Sequence, residues 1–519
     1  MELQQLMTSL QERPAGKEAL NIIHKHYGDG IGVYPKSVRM YGNALFFIGR
    51  KQSEKNLYIV TLANDGAAVK GFEGEELHQT MFGPNFTIRK CCMTNTNANH
   101  LRELFEFTRP VVLGIADSFG FGDRLGIANP AHLRSLEGSH MKPVLAQQSV
   151  RELERTQRTV EEVLDAATWA VFQEGYSAGF GADADHLKTP EDIDRYARVG
   201  FTMYTFDPSA YVVNEAVSLP LADVVHGIQS IDMGDLRLDE LKARYVHQTI
   251  ALDGGVLQPN DEMVTRALLK YGGVIRHTRN LYKHLTGKHS SLQTEVEVSV
   301  DETDIPTTPF EHYFISHELK RLGVKLISLA PRFIGDFEKG VDYRGDLAAF
   351  EKEYRLHIAI AKINGPYKIS IHSGSDKFSV YNVIGKLQLG AVHVKTAGTS
   401  YLEALRTAAN VDRELVAQIL DFSRAQYEEQ KKSYHVSACL ERVPAGANCS
   451  KEQLLSLFDE HDARQVFHVT FGKTLTERDG SGKFLFRDRL MACLKQHEEL
   501  HYETLIRHFR KHLEPFEQR

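Results

Sequence analysis

Apolar residues along this chain recur in two rhythms, and the change from one to the other falls near residue 108. Before it, short apolar runs alternate with turn residues. Ala44-Leu45-Phe46-Phe47-Ile48 and Leu57-Tyr58-Ile59-Val60 predict strands of a small α/β or mostly β cap. After it, apolar runs ending in polar residues alternate with amphipathic stretches, the texture of βα units. Eight runs predict strands: Val111–Asp117, Pro143–Gln148, Phe180–Asp185, Phe201–Asp207, Glu295–Asp301, Val324–Pro331, Lys368–His372 and Ala391–Lys395. Eight βα units predict a (β/α)8 barrel of the TIM type, with its active site at the C-terminal strand ends.

Helix signals fit between these strands. Thr159 and Glu162 form a capping box ahead of the stripe Val160, Val163, Leu164, Ala167 and Val171. Thr189-Pro190-Glu191-Asp192 and Thr308-Pro309-Phe310-Glu311 also read as helix starts. The stretch from about 208 to 292 is too long for one crossover and predicts extra helices. Beyond about 400 the spacing is helical, with Leu454, Leu457, Phe458, Leu490, Leu494, Leu500 and Leu505 as its apolar positions. The predicted organisation is a cap over residues 1–107, a barrel over 108–430 with an insertion at about 208–292, and a helical extension over 431–519.

Alternation along a strand assigns faces. Ile369 and Ile371 should face the helices, leaving Lys368, Ser370 and His372 inward; Val392 and Val394 leave His393 and Lys395 inward. The valines at 296, 298 and 300 leave Glu297, Ser299 and Asp301 inward, and Asp183 shares a face with Asp185. Barrel interiors are ordinarily filled by Val, Ile and Leu. Buried charge survives only when paired or metal-bound, so this interior predicts a site.

Two runs sharpen that site: Ala184-Asp185-His186-Leu187-Lys188 and Ser370-Ile371-His372-Ser373-Gly374-Ser375-Asp376-Lys377. Each puts a histidine where a strand stops, which suits a catalytic metal. His186 has the opposite parity from Asp185, so both reach one cavity only if the chain turns immediately after the strand. Asp301 is inward by parity and Glu302 sits at the rim; either can supply a carboxylate ligand. His393 alone reads better as a satisfied, hydrogen-bonded core residue.

Ser118-Phe119-Gly120-Phe121-Gly122-Asp123-Arg124-Leu125-Gly126, read as the loop after the first strand, imitates a dinucleotide fingerprint. Its spacing is GxGxxxG, Pro130 interrupts any following helix, and no acidic strand end suits a ribose. It reads better as a glycine loop presenting Arg124 to a carboxylate substrate. Arg332 and Lys339 are further anion-binding candidates.

A net charge of −6 gives no electrostatic case for nucleic acid or an anionic membrane. No apolar run approaches the ~20 residues of a spanning helix, and the N-terminus lacks a signal-peptide pattern. Five cysteines without CxxC spacing fit reduced thiols and a cytoplasmic location, and argue against a Cys-based zinc site. Oligomeric state stays open, a homo-oligomer included.

Several runs together resemble the tagaturonate epimerase family. They are Ser118–Gly126, Gln147–Glu152, Ala182–Thr189, Ser328–Phe333, Ser370–Lys377, Ser433–Ser437 and Arg464–Thr470. The resemblance implies a metal-dependent enzyme of hexuronate catabolism that interconverts tagaturonate and fructuronate, with tagatose 4-epimerases among its relatives. A more distant likeness is to class II aldolases, in which one strand ends in Asp-His and another in His-Gly-Gly-Ser. Asp185-His186 and His372-Ser373-Gly374-Ser375 look like counterparts, with Ser373 in place of the first glycine and no third histidine, so Glu302 is supposed as third ligand.

The C4 hydrogen of a 2-ketose is β to the carbonyl, so simple enolisation cannot remove it. With no dinucleotide site, retro-aldol cleavage and re-addition is the leading route to inversion, and proton relocation along an enediol competes. The candidate roles are as follows: catalytic, Asp185, Asp301 and Lys395; metal ligands, His186, Glu302 and His372; substrate contacts, Ser118, Asp123, Arg124, Gln148, Arg332, Ser373, Ser375, Lys377 and His393. Zinc is the first expectation for the metal, with manganese or nickel also accepted by such ligands. The substrate is a hexuronate or a ketohexose; a fragment-releasing aldolase and a non-catalytic barrel subunit are the alternatives.

Overall fold

The computed structural model describes residues 31–62, 69–77 and 86–517. Both cap strands expected from the apolar runs form, as Ala44–Lys51 and Glu54–Leu62. They lie in an antiparallel sheet with Gly32–Val33, Arg39–Tyr41, Phe86–Cys91 and Glu75–Leu77. One face, with Phe46, Ile48, Leu57 and Ile59, packs on Leu101 and Phe105 and on Trp169 and Phe172 of a barrel helix.

The barrel closes from eight parallel strands that follow one another in chain order. They are β1 (Ser118–Phe121), β2 (Lys142–Ser149), β3 (Gly181–Leu187), β4 (Met203–Phe206), β5 (Glu295–Ser299), β6 (Ser328–Ala330), β7 (Lys368–Ile371) and β8 (Val392–Thr396). Seven coincide with the expected runs. The first does not: Val111–Asp117 is irregular, and the supposed glycine loop is itself the strand. Val111 and Val112 are exposed. The Val111 N–H donates to the Phe180 carbonyl (2.8 Å), and Glu295 accepts from the N–H groups of Leu113 and Gly114, so this segment crosses the N-terminal mouth. In β1, Phe119 and Phe121 pack outward on the Phe509 ring. Gly120 is required inside, because a Cβ there would stand 1.7 Å from Gln147 Oε1. A strand with large residues outside and only serine and glycine inside has the composition of a loop.

The anticipated capping box forms at Thr159, and the two expected helix starts, at Thr189 and Thr308, also carry capping boxes. The 208–292 stretch holds helices Leu221–Ser230, Leu238–Tyr245 and Asp261–Lys288, plus an unanticipated hairpin of Ile250–Leu252 with Gly255–Leu257. Leu402 and Leu405, from the helix after β8, share a core with Leu415, Ile419, Phe458, Phe467 and Leu490 of the C-terminal helices. The last helix, Glu498–Leu513, returns to the barrel wall through Leu505 and Phe509. Among the described residues no helix is long and apolar enough to cross a membrane.

Candidate active site

The predicted inward faces meet at the C-terminal mouth. Lys395 on β8 is the hub: its Nζ lies 2.6 Å from Asp183, 2.8 Å from Asp185 and 2.9 Å from Glu297, and donates to Thr205 Oγ1 at 2.5 Å. Burial disfavours the ammonium, but three carboxylates hold its pKa well above the ordinary lysine value. Burial pushes Asp183 up to about 6 despite Lys395. For Asp185 burial is outweighed by Lys395 and then His186, and its carboxyl is held low, hence ionised.

The parity problem at His186 is solved by a bulge rather than a turn. Asp183 pairs with Met203 and Ala184 with Tyr204, after which Leu187 pairs with Phe206, so Asp185 and His186 together face Thr205. His186 takes a left-handed φ of +56°, as the residue of a bulge that must re-aim its side chain. The strand continues to Leu187, and both side chains enter the cavity.

His372, just past β7, places its ring 5.3 Å from that of His186. His372 Nε2 lies 2.7 Å from Glu297 Oε1 and Nδ1 lies 3.1 Å from Asp301 Oδ1. His186 Nδ1 lies 3.3 Å from Asp207 Oδ2. Each imidazole thus has one nitrogen steadied by a carboxylate, the arrangement that orients histidine ligands in metal sites. One donor atom each from His186, Asp301 and His372 lies within 4.8 Å of the others. This donor set fits a divalent cation. Burial lowers both histidines' proton affinity, yet the surrounding carboxylates raise His186 to about 10, Asp185 foremost, and His372 to about 9, Asp301 foremost.

Glu302, supposed as third ligand, lies beside His186 rather than beside His372. Its Oε1 accepts from Arg151 at 3.2 Å, and it clusters with His186 and Asp207 but not with His372. The carboxylate common to both histidines is Asp301, whose strand-face parity already pointed inward.

Arg124, Ser373 and Ser375 line the cavity together with Asp185, His186, Asp301, His372 and Lys395. Other predicted contacts lie elsewhere. Ser118 and His393 sit below the mouth, bonded to each other at 2.9 Å and, through Ser118, to Lys368; burial pushes His393 down to about 3. Asp123 accepts from the N–H groups of Leu125, Gly126 and Ala128 and so shapes a turn. Gln148 has the wrong parity, and its neighbour Gln147 lines the cavity instead. Arg332 does not line it either. Lys377 spends its donors on the carbonyls of Glu338, Val341 and Ser375; burial pushes it down to about 7.

Reasoning from strand ends missed Asp207, Ser149, Arg151, Glu152, Tyr434 and His468. Asp207 ends a predicted strand, and that was its only signal. Tyr434 and His468 come from the C-terminal region, where no strand pattern could point. A larger cleft of about 990 Å³ lies between the cap sheet, helix Val160–Glu174 and the last two helices, and holds no cluster of potential ligands among the described residues.

Comparison with known proteins agrees with this architecture. The family model described as tagaturonate epimerase matches residues 34–516. A curated tagaturonate/fructuronate epimerase of Thermotoga maritima is 42% identical over 498 residues, covering 96% of this chain and 99% of that protein. Crystal structures of fructuronate-tagaturonate epimerase UxaE from Cohnella laeviribosi, native and glycerol-bound, superpose with a TM-score of 0.89 at 36% identity, covering 96% of this chain and 99% of theirs. On its sequence over nearly its whole length, and on its fold, this chain belongs to the tagaturonate epimerase family.

Proposed function

We propose that this protein interconverts tagaturonate and fructuronate by inverting C4, using a divalent metal held by His186, Asp301 and His372. The observation that carries the reading is the convergence of two carboxylate-steadied histidines and Asp301 beside an ionised Asp185. A cation held by these residues would supply positive charge that stabilises the negative charge developing on the ketose oxygens. Asp185 Oδ accepts the C4 hydroxyl proton as the C3–C4 bond breaks. The bonding pair passes into the C2–C3 unit as an enediolate, and C4 becomes the aldehyde of a three-carbon acid. Rotation of that acid about its C4–C5 bond presents the other face, C3–C4 re-forms, and Asp185 returns the proton. Lys395 stays protonated throughout; it holds Asp183, Asp185 and Glu297 in place and keeps Asp185 ionised.

The cavity measures about 50 Å³, below the ~300 Å³ at which ligand pockets begin, so the covering residues must part to admit a six-carbon acid. The test is direct: purified protein is given tagaturonate, and fructuronate is followed before chelation, after it, and after metal return. Absence of turnover with every divalent metal tried would falsify the assignment; turnover undiminished by complete metal removal would overturn the metal's part.

A further inference from the structure

Four lysine and arginine side chains face the cavity, and they differ in the donors they have left. Lys395 has all its N–H groups engaged by three carboxylates and Thr205. Arg124 is paired with Glu152 at 2.8 Å, and its guanidinium lies 3.6 Å over the Phe471 ring. Arg151 is paired with Glu302. Lys339 alone has no ion-pair partner among the described residues; its Nζ donates to Ser373 Oγ at 2.7 Å. An ammonium carries three donors, so two remain.

Its position is fixed from both sides. Glu338 accepts from Ser437 Oγ and Gln465 Nε2, both at 2.8 Å, and the Gly340 carbonyl accepts from Arg464 Nε at 2.7 Å. Ser373, its hydrogen-bond partner, follows His372 directly, and adjacent Cα atoms are about 3.8 Å apart, so Lys339 stands within a six-carbon chain's reach of the histidine pair. The cavity is otherwise rich in carboxylates, which repel an anionic substrate.

We propose that Lys339 is the receptor for the C6 carboxylate and sets the preference for sugar acids over neutral ketoses. This rests on the proposed epimerase activity. A cation held in place before the ligand arrives binds with less ordering cost, and the loss of a hydrogen bond to a charged group weakens binding about 10–150-fold.

The test compares wild type, Lys339→Met and Lys339→Arg as metal-loaded enzymes. Lys339→Met should raise KM for tagaturonate at least about tenfold while kcat changes less than about fivefold, and Lys339→Arg should recover part of the loss. Calorimetry with galactonate and with galactitol gives a second readout: the variant should lose affinity for the acid by the larger factor. A KM within about threefold of wild type, or a loss confined to kcat, overturns the proposal. Should wild type itself fail to turn over tagaturonate, the activity assignment falls, and the galactonate-to-galactitol ratio decides on Lys339 alone. An unchanged ratio overturns it. Melting curves identify a variant that has not folded, in which case Lys339→Gln takes its place in the same comparison.

Discussion

Replacing Asp376 with asparagine removes one negative charge from the joint between the barrel and its C-terminal helices. Asp376 lies four residues beyond His372 and is almost fully buried. Its Oδ2 meets Arg464 at 2.6 Å, its Oδ1 meets His508 at 2.6 Å, and its N–H donates to His512 Nε2 at 3.0 Å. Breaking a buried ion pair by removing one partner costs about 3–5 kcal/mol. Asparagine keeps the shape and one oxygen, and Glu403 remains 3.3 Å from His508 and 3.9 Å from Arg464, so the cost should lie at the lower end, about 3 kcal/mol. With an unfolding entropy of about 2.1 cal/mol/K per residue over 519 residues, that is a fall in Tm of about 3 °C. Burial raises the Asp376 pKa, but Arg464 and then His508 hold it well below the usual value. The folded pKa is depressed, so the stabilisation is complete above the unfolded value near 4 and fades as the pH falls further. Melting curves of both proteins by circular dichroism should therefore differ by a constant gap from pH 6 to 8 that closes below about pH 4. No gap at pH 7, or one that widens on acidification, would refute the reasoning.

Three further outcomes follow from the site. Asp207→Asn leaves His186 Nδ1 without its carboxylate and should weaken divalent-metal binding at the proposed site about 10–100-fold in competition with a chromophoric chelator; equal affinity would separate Asp207 from that site. Lys395→Met strands three buried carboxylates and removes the charge that keeps Asp185 an ionised proton acceptor, so kcat should fall by about 10²–10⁴-fold; near-normal turnover would remove Lys395 from the machinery. Turnover in D2O should leave C3 and C4 free of deuterium by mass spectrometry; label at either carbon would exclude cleavage and re-addition as the sole path.

Much of this arrangement was legible because strand parity is a strict rule. Inward Glu297, Lys368, His372, His393 and Lys395 followed from the aliphatic residues between them, and all five sit inside the barrel. Parity failed where the backbone departs from period two. The bulge at Asp185–His186 has no sequence mark, since neither residue is a glycine. The first strand was hidden because the Gln147 side chain fills the space that a residue at 120 would otherwise occupy. Roles for charged residues near the mouth were hardest to assign. Whether Lys377 or Lys339 is free to bind an anion depends on which carbonyls lie within reach, and those come from distant segments.

Ser373 holds a backbone conformation, φ +51°, that costs an L-amino acid about 1–2 kcal/mol and glycine almost nothing. Selection for heat tolerance therefore has an inexpensive gain at this position. Taking it would delete the hydroxyl that steadies Lys339. If Lys339 receives the substrate carboxylate as proposed, a lineage driven towards higher temperature meets a conflict here between durability and discrimination among sugars, and its answer would be written in a single codon.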